Sequence, residues 1–288
     1  MERVRVERYG TDGDLVELAR ADPHPALAGD ALGYTGYRER TVDPLRRREL
    51  PFAGVVVILS GGPELRLGDP DDAAPGTSYT SFVAGLDDRA VLTEHDGVSD
   101  GLQLNLTPFG AYRIFGVPMW ELARRAVPLD EVLGREGAEL AERLDGAARW
   151  EQRFAVLEAW LARRLDGGRR PSPHLEWAWR RIVETEGRIV VERLAGELGC
   201  SRRHLAAGFR EQVGLPPKAV ARVLRFRRAL RLLDAAGGLP LGQIAPDCGY
   251  YDQAHLNRDF RRLAGATPTE LAARRASHSS KTAPGLAA

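Results

Sequence analysis

Hydrophobic positions follow two periods along this chain. Short β-rich segments come first, at 32–37, 54–59, 65–67, 78–84, 89–93 and 102–106, the last alternating strictly as Leu102-Gln-Leu-Asn-Leu106. Alternation of this kind predicts strands with one buried face. Turn-rich pieces at 60–63 and 68–72 separate them. After Pro108 the spacing becomes helical, with helices predicted over 118–126, 129–134, 136–144 and 147–165, where Leu157, Trp160, Leu161 and Leu165 recur at three- and four-residue intervals. The segment 166–173 holds two glycines and two prolines in eight residues, which breaks any period. Downstream every predicted element is a helix: 173–186, 190–198, 202–213, 217–235, 241–247, 252–263 and 268–275. Ser201, Asp252 and Thr267 are N-cap candidates, Pro217 and Pro268 suit first helical turns, and Pro246 is expected to bend or shorten its helix.

The helical part contains a repeat. Ala195 and Gly199 correspond to Ala245 and Gly249 at an offset of 50, and Leu205, Phe209, Gly214 and Pro217 to Leu256, Phe260, Gly265 and Pro268 at an offset of 51. One residue has entered the second turn. A small residue, a turn glycine and an apolar pair four residues apart describe a helix-turn-helix, so two such units joined by one long helix are expected. With Leu205 and Phe209 buried, the opposite face of the first unit's second helix presents Arg202, Arg203, Ala206, Ala207 and Arg210. The equivalent face in the second unit presents Gln253, Ala254, Asn257, Arg258 and Arg261, with His255 at its edge. Arginine can fork onto guanine, glutamine can pair with adenine, and further arginines can hold phosphates, so these faces suit a major groove.

Composition and charge agree. A chain of 288 residues, 43% hydrophobic and 28% charged, has the length of two domains and the make-up of a globular protein. It excludes collagen, a mainly disordered chain and a disulfide scaffold. The densest apolar run, 55–59, is far too short to span a bilayer, and the first fourteen residues lack a signal peptide's apolar core, so a cytoplasmic protein with no membrane partner is expected. Residues 1–171 carry 22 Lys and Arg against 29 Asp and Glu, a net of −7, whereas 172–276 carry 18 against 11, a net of +7. A basic unit beside an acidic one fits a polyanion-binding module attached to something else. Cys200 and Cys248 form no metal-spaced pair and are expected as buried thiols. Isolated histidines such as His95 and His174 are expected to be solvated or capping, and the five tryptophans to sit in cores or interfaces.

Residues 174–276 resemble the C-terminal DNA-binding domain of AraC-type bacterial transcriptional regulators. The matching stretches are 194–209, the connector 222–230, and 249–260 followed by Gly265-Ala-Thr-Pro268. The resemblance implies two recognition helices entering successive major grooves on one DNA face. Arg202, Arg203, Ala206 and Ala207 would occupy the groove-facing positions of the first helix, and Gln253, Ala254, His255 and Arg258 those of the second. Ala206 and Ala207 replace the longer polar residues of many members and would offer apolar contact to a thymine methyl. Residues 101–118 are similar to a stretch in a less-characterised subgroup of these regulators, and the β-rich start is similar to their cupin-like sensor, whose paired histidines and glutamate this chain lacks.

The expected architecture is an α+β N-terminal sensing or dimerisation domain (1–166), a linker (167–173), an all-α double helix-turn-helix domain (174–276) and a disordered tail (277–288). No P-loop, G-x-S-x-G or H-E-x-x-H motif occurs, so neither enzyme activity, a cofactor nor a metal is expected. The expected partners are a double-stranded DNA operator, RNA polymerase, and a small-molecule effector or a second copy bound through the N-terminal domain. Two alternatives stand beside this reading: a DNA-repair or other enzyme carrying the same module, and an adaptor that binds only protein.

Overall fold

The structure, a computed structural model, describes residues 4–10, 13–72, 74–235 and 240–278. Its N-terminal half begins with strands β1 (Val4–Tyr9), β2 (Leu15–Ala21), β3 (Ala31–Arg40), β4 (Leu45–Glu49), β5 (Val55–Leu59), β6 (Leu65–Gly68), β7 (Thr77–Tyr79), β8 (Phe82–Ala84), β9 (Val91–His95) and β10 (Val98–Leu106). Helix α1 (Pro108–Phe115), strand β11 (Ala126–Pro128) and helices α2 (Leu129–Leu133), α3 (Arg135–Asp145) and α4 (Trp150–Asp166) follow. All strand pairs are antiparallel and form two sheets, ordered β1-β2-β3-β10-β5-β8-β11 and β4-β9-β6-β7.

Period-2 alternation assigns each side chain of the larger sheet to one of two buried faces. Val55, Val57, Leu59, Leu102, Leu104 and Leu106 point to the helices, where they share a core with Phe109, Ile114, Leu157 and Trp160. Val16, Leu18, Tyr37, Ile58 and Phe82 point the other way, towards Leu65, Leu67 and Tyr79 of the smaller sheet. The space between the sheets is not filled; it forms a cavity of about 550 Å³.

Several expectations need correction. The helix predicted over 118–126 is a single 3-10 turn at Met119–Glu121 followed by strand β11. Arg124, at φ 58°, ends the turn, and pairing of Val127 with Val83 draws the following residues into the sheet. The strand predicted over 78–84 breaks into β7 and β8. His95, expected in solvent, is 4% exposed and bonds Glu39. Cys248 is buried, but Cys200 is only half-buried. Trp120 is 57% exposed.

The C-terminal half is helical: α5 (Pro173–Glu184), α6 (Val191–Glu197), α7 (Arg202–Gln212), α8 (Pro217–Asp234), α9 (Leu241–Asp247), α10 (Gln253–Ala264) and α11 (Pro268–His278). Pro246 sits in the last turn of α9, which closes one residue later. The segment 167–172 joins the halves; within it Arg169 lies over the Tyr112 ring, and the Ser172 N–H donates to Gln212 Oε1 (2.9 Å). Most of the expected tail, 279–288, lies outside the described residues.

Candidate nucleic-acid interface

The two repeats fold alike because the same backbone problem is solved twice. After α6 and α9 the chain must reverse within a few residues, and it does so through a left-handed glycine, Gly199 at φ 62° and Gly249 at φ 77°. The following N–H reaches back five residues in each unit, from Cys200 to the Ala195 carbonyl (3.0 Å) and from Tyr250 to the Ala245 carbonyl (2.9 Å). Ala195 and Ala245 are buried, as close helix packing requires. Side-chain caps then start the second helices. The Ser201 hydroxyl accepts from the His204 N–H (3.1 Å), and Asp252 Oδ1 accepts from the His255 N–H (2.7 Å). Thr267 and Glu270 form a reciprocal capping box ahead of α11.

Leu205, Phe209, Leu256 and Phe260 are all at most 1% exposed, which fixes the rotation of α7 and α10. Arg202, Arg203, Ala207 and Arg210 consequently face solvent on α7, with Ala206 half-buried. On α10 Gln253, Ala254, Arg258 and Arg261 are exposed, while His255 and Asn257 are half-buried. The side chains of Arg203, Arg210, Gln253, Arg258 and Arg261 make no hydrogen bond or ion pair among the described residues. Arg202 is engaged: Glu192 pairs with it (3.0 Å) and with Lys218 (3.2 Å). The Glu192 backbone N–H, Arg202 and Lys218 hold that carboxyl down at about 2. His255 is also occupied, accepting at Nδ1 from the Tyr251 N–H (3.4 Å) and meeting the Tyr250 ring edge-on. Tyr251, the residue added to the second turn, is 93% exposed beside the start of α10. The offset of the repeat reveals its insertion, but not its exposure.

Residues 194–274 match a family model described as a helix-turn-helix domain. A probable AraC family transcriptional regulator from Rhodopseudomonas palustris CGA009 is 30% identical over 36% of this chain and 97% of its own, with a TM-score of 0.32. Over this region the chain is similar to AraC-type regulators. Other similar solved structures are the DNA-binding domain of AdpA, a global transcriptional factor solved with a target DNA (26% identity, 38% of this chain and 100% of that chain, TM-score 0.35), and a DNA-binding transcriptional dual regulator from Escherichia coli K-12 (25%, 38% and 98%, TM-score 0.32). No curated protein sequence matches the chain. Among the described residues no helix is long and apolar enough to cross a membrane, and no group of three or more His, Cys, Asp or Glu could hold a metal ion.

The N-terminal half holds α10 through charged contacts. Arg48 on β4 donates to the Ala264 carbonyl (3.0 Å), capping the negative end of the helix. Asp88, 1% exposed, accepts from Arg124 (2.7 Å) and from Arg262 on α10 (3.0 Å), and lies 3.5 Å from Arg222 on α8. Arg222 in turn meets Asp259 of α10 at 3.4 Å. Burial works to raise the Asp88 pKa, but Arg124 and Arg262 overcome it and hold the carboxyl below its usual value. Arg48 and Asp88 stand in charged runs far from α10 in sequence, and no local signal marks either of them.

Proposed function

We propose that this regulator reads duplex DNA through α7 and α10, with the N-terminal half as the sensing or self-associating part. The observation that carries the reading is the pair of solvent-facing arginine-bearing helices on matched supports. Arg203, Arg210, Gln253, Arg258 and Arg261 are its most available contacts, because no other group among the described residues competes for them. Arg202 must share itself with Glu192, and His255 serves the turn. Arg202 and His255 therefore hold the edges of the interface, while Ala206, Ala207 and Ala254 offer apolar contact and Asn257 a secondary polar one. Tyr251 joins them as a phosphate contact. Connector α8, at 18 residues, spans about 27 Å, on the scale of the roughly 34 Å between successive major grooves on one face.

The division into a regulatory part (1–166), a joining segment (167–173) and a DNA-reading part (174–276) follows from the same reading. The protein acts by binding rather than catalysis. Its N-terminal half takes a small-molecule effector or a second copy, and RNA polymerase is the partner at the promoter. Fluorescence anisotropy of the full chain with duplex DNA tests the reading: the logarithm of the association constant should fall linearly with log salt, with a slope of roughly −0.9 per phosphate neutralised. A full chain that is folded but binds no duplex at low salt would overturn it.

A further inference from the structure

The cavity between the two sheets is lined by acidic and basic side chains that are unevenly paired with one another. Its lining is largely apolar, from Phe52, Val56, Ile58, Leu67, Tyr79 and Phe82. Three groups within it, Glu39, Arg47 and His95, bond one another, although His95 Nδ1 is buried without a hydrogen-bond partner. Glu39 takes a two-pronged bond from Arg47 (2.7 and 2.8 Å) and a third contact from His95 Nε2 (3.0 Å). Burial favours protonation of Glu39, yet His95 and Arg47 hold it at about 2, so it is an anion matched by Arg47. At the mouth Arg48 meets Asp71, and Arg124 and Arg262 meet Asp88.

Two of the lining carboxylates, Glu49 and Asp87, are less well met. Glu49 has no ion-pair partner among the described residues, and the Thr93 hydroxyl reaches it only at 3.5 Å. Asp87 lies 3.7 Å from the half-exposed Arg89, and its buried Oδ1 has no hydrogen-bond partner. Burial pushes both carboxyls up. A carboxylate inside an apolar cavity is costly until a cation or strong donor meets it.

We propose that the cavity binds a small apolar amine, whose ammonium group pairs with Glu49 while its hydrocarbon or aromatic body fills the space between the sheets. A volume of about 550 Å³ lies within the usual 300–1,000 Å³ of small-molecule sites. The wall of the same cavity includes Arg262 and Gly265, at the end of the second recognition helix. Gly265 sits at φ 65°, and an added Cβ there would collide with the Arg48 guanidinium. Arg48, which lines the cavity and bonds the Ala264 carbonyl, links the cavity to the end of α10. This inference rests on the effector role proposed above and names the chemistry of that effector.

The test is calorimetric titration of the full chain with 2-phenylethylamine, tryptamine and 2-(1-naphthyl)ethylamine, each beside the alcohol and the carboxylate of the same skeleton. At least one amine should bind about tenfold or more tightly than its alcohol, with the carboxylate weakest. Glu49→Gln should bring that amine down to the affinity of its alcohol. Equal binding of amine and alcohol, preference for the carboxylate, binding by none of the nine, or an amine preference that survives Glu49→Gln would each overturn the proposal. An anisotropy titration of the unmodified chain with DNA, run without any probe, separates the two levels. DNA binding without amine preference removes the ligand class and leaves the regulator; loss of DNA binding removes the reading beneath it.

Discussion

In the first helix-turn-helix unit, Leu205, Phe209, Val213 and Leu215 belong to the same apolar core as Phe109, Phe115 and Met119 of the N-terminal half. In the second, Leu256, Phe260 and Leu263 pack with Phe226 and Ile244 in a separate core, which meets the N-terminal half through the partly buried Leu50 and Ala53 and through the charged contacts of Arg48 and Asp88. The same template is thus anchored in two ways. Apolar burial is non-directional and holds α7 rigidly to the N-terminal half. Ion pairs depend on geometry, and the one from Arg262 to the N-terminal half rests on a single carboxylate, Asp88.

The largest effects are expected from substitutions in the two cores. Phe209→Ala should cost about 3–5 kcal/mol, and Phe260→Ala a similar amount. Their signatures should differ. Trp150 and Trp160 lie in the first core and Trp177 and Trp179 pack against it, so tryptophan fluorescence reports that core. Phe209→Ala should shift the fluorescence and circular dichroism transitions together, whereas Phe260→Ala should shift only part of the dichroism change. Identical shifts in both probes for both variants would mean that the two units are one cooperative body.

Asp88→Asn comes next, with an expected loss of about 1–3 kcal/mol at the α10 anchor, since it leaves Arg262 and Arg222 without their buried anion. Hydrogen exchange should rise across α9 and α10 and stay unchanged across α7. The pH dependence has a definite sign. Asp88 has a depressed pKa in the folded chain, so its contribution is complete above the ordinary aspartate value near 3.9 and is lost only as pH falls through the lower folded value. Between pH 7 and pH 5 the anchor should hold, and the acid-induced loss below that should be smaller in Asp88→Asn. Loosening of α10 between pH 7 and pH 5 would point to a different group.

Arg48→Ala should have a smaller effect, about 1 kcal/mol or less, because the Ala264 carbonyl loses its cap. Smaller still is the effect of cutting the chain at 167–170. These residues are largely exposed, but α7 and α1 share a core across the cut, so a nicked protein should elute from size exclusion as one particle. Separation of the fragments would contradict the shared core.

Much of the second half is legible in the sequence because its determinants are local. Leu205 with Phe209, Gly199, Ser201 and Asp252 each act within one turn of where they stand, and helix boundaries follow from them. The N-terminal half obeys longer-range rules. Strand β4, Leu-Arg-Arg-Arg-Glu, reads as a polar run until its pairing with β9 turns Arg47 and Glu49 towards a cavity. Strand β1 is equally polar and is stabilised across the sheet by pairs such as Arg8 with Glu17. His95 reads as an isolated histidine because its partner Glu39 lies 56 residues away. At the candidate interface, helical periodicity tells which residues share a face, but not that Glu192 restrains Arg202 or that the turn uses His255.

On the proposed reading, two separate helices of this chain read DNA together. Selection of bound duplexes from a random pool by the full chain, repeated with Arg258→Ala and with Arg203→Ala, tests it directly. The account predicts an enriched site with two halves about 10–10.5 base pairs apart, one half relaxed by the Arg258 change and the other weakened by the Arg203 change, with a penalty of about 1–3 kcal/mol at each base pair affected. No enrichment, or a single half-site unaffected by Arg258→Ala, would contradict it.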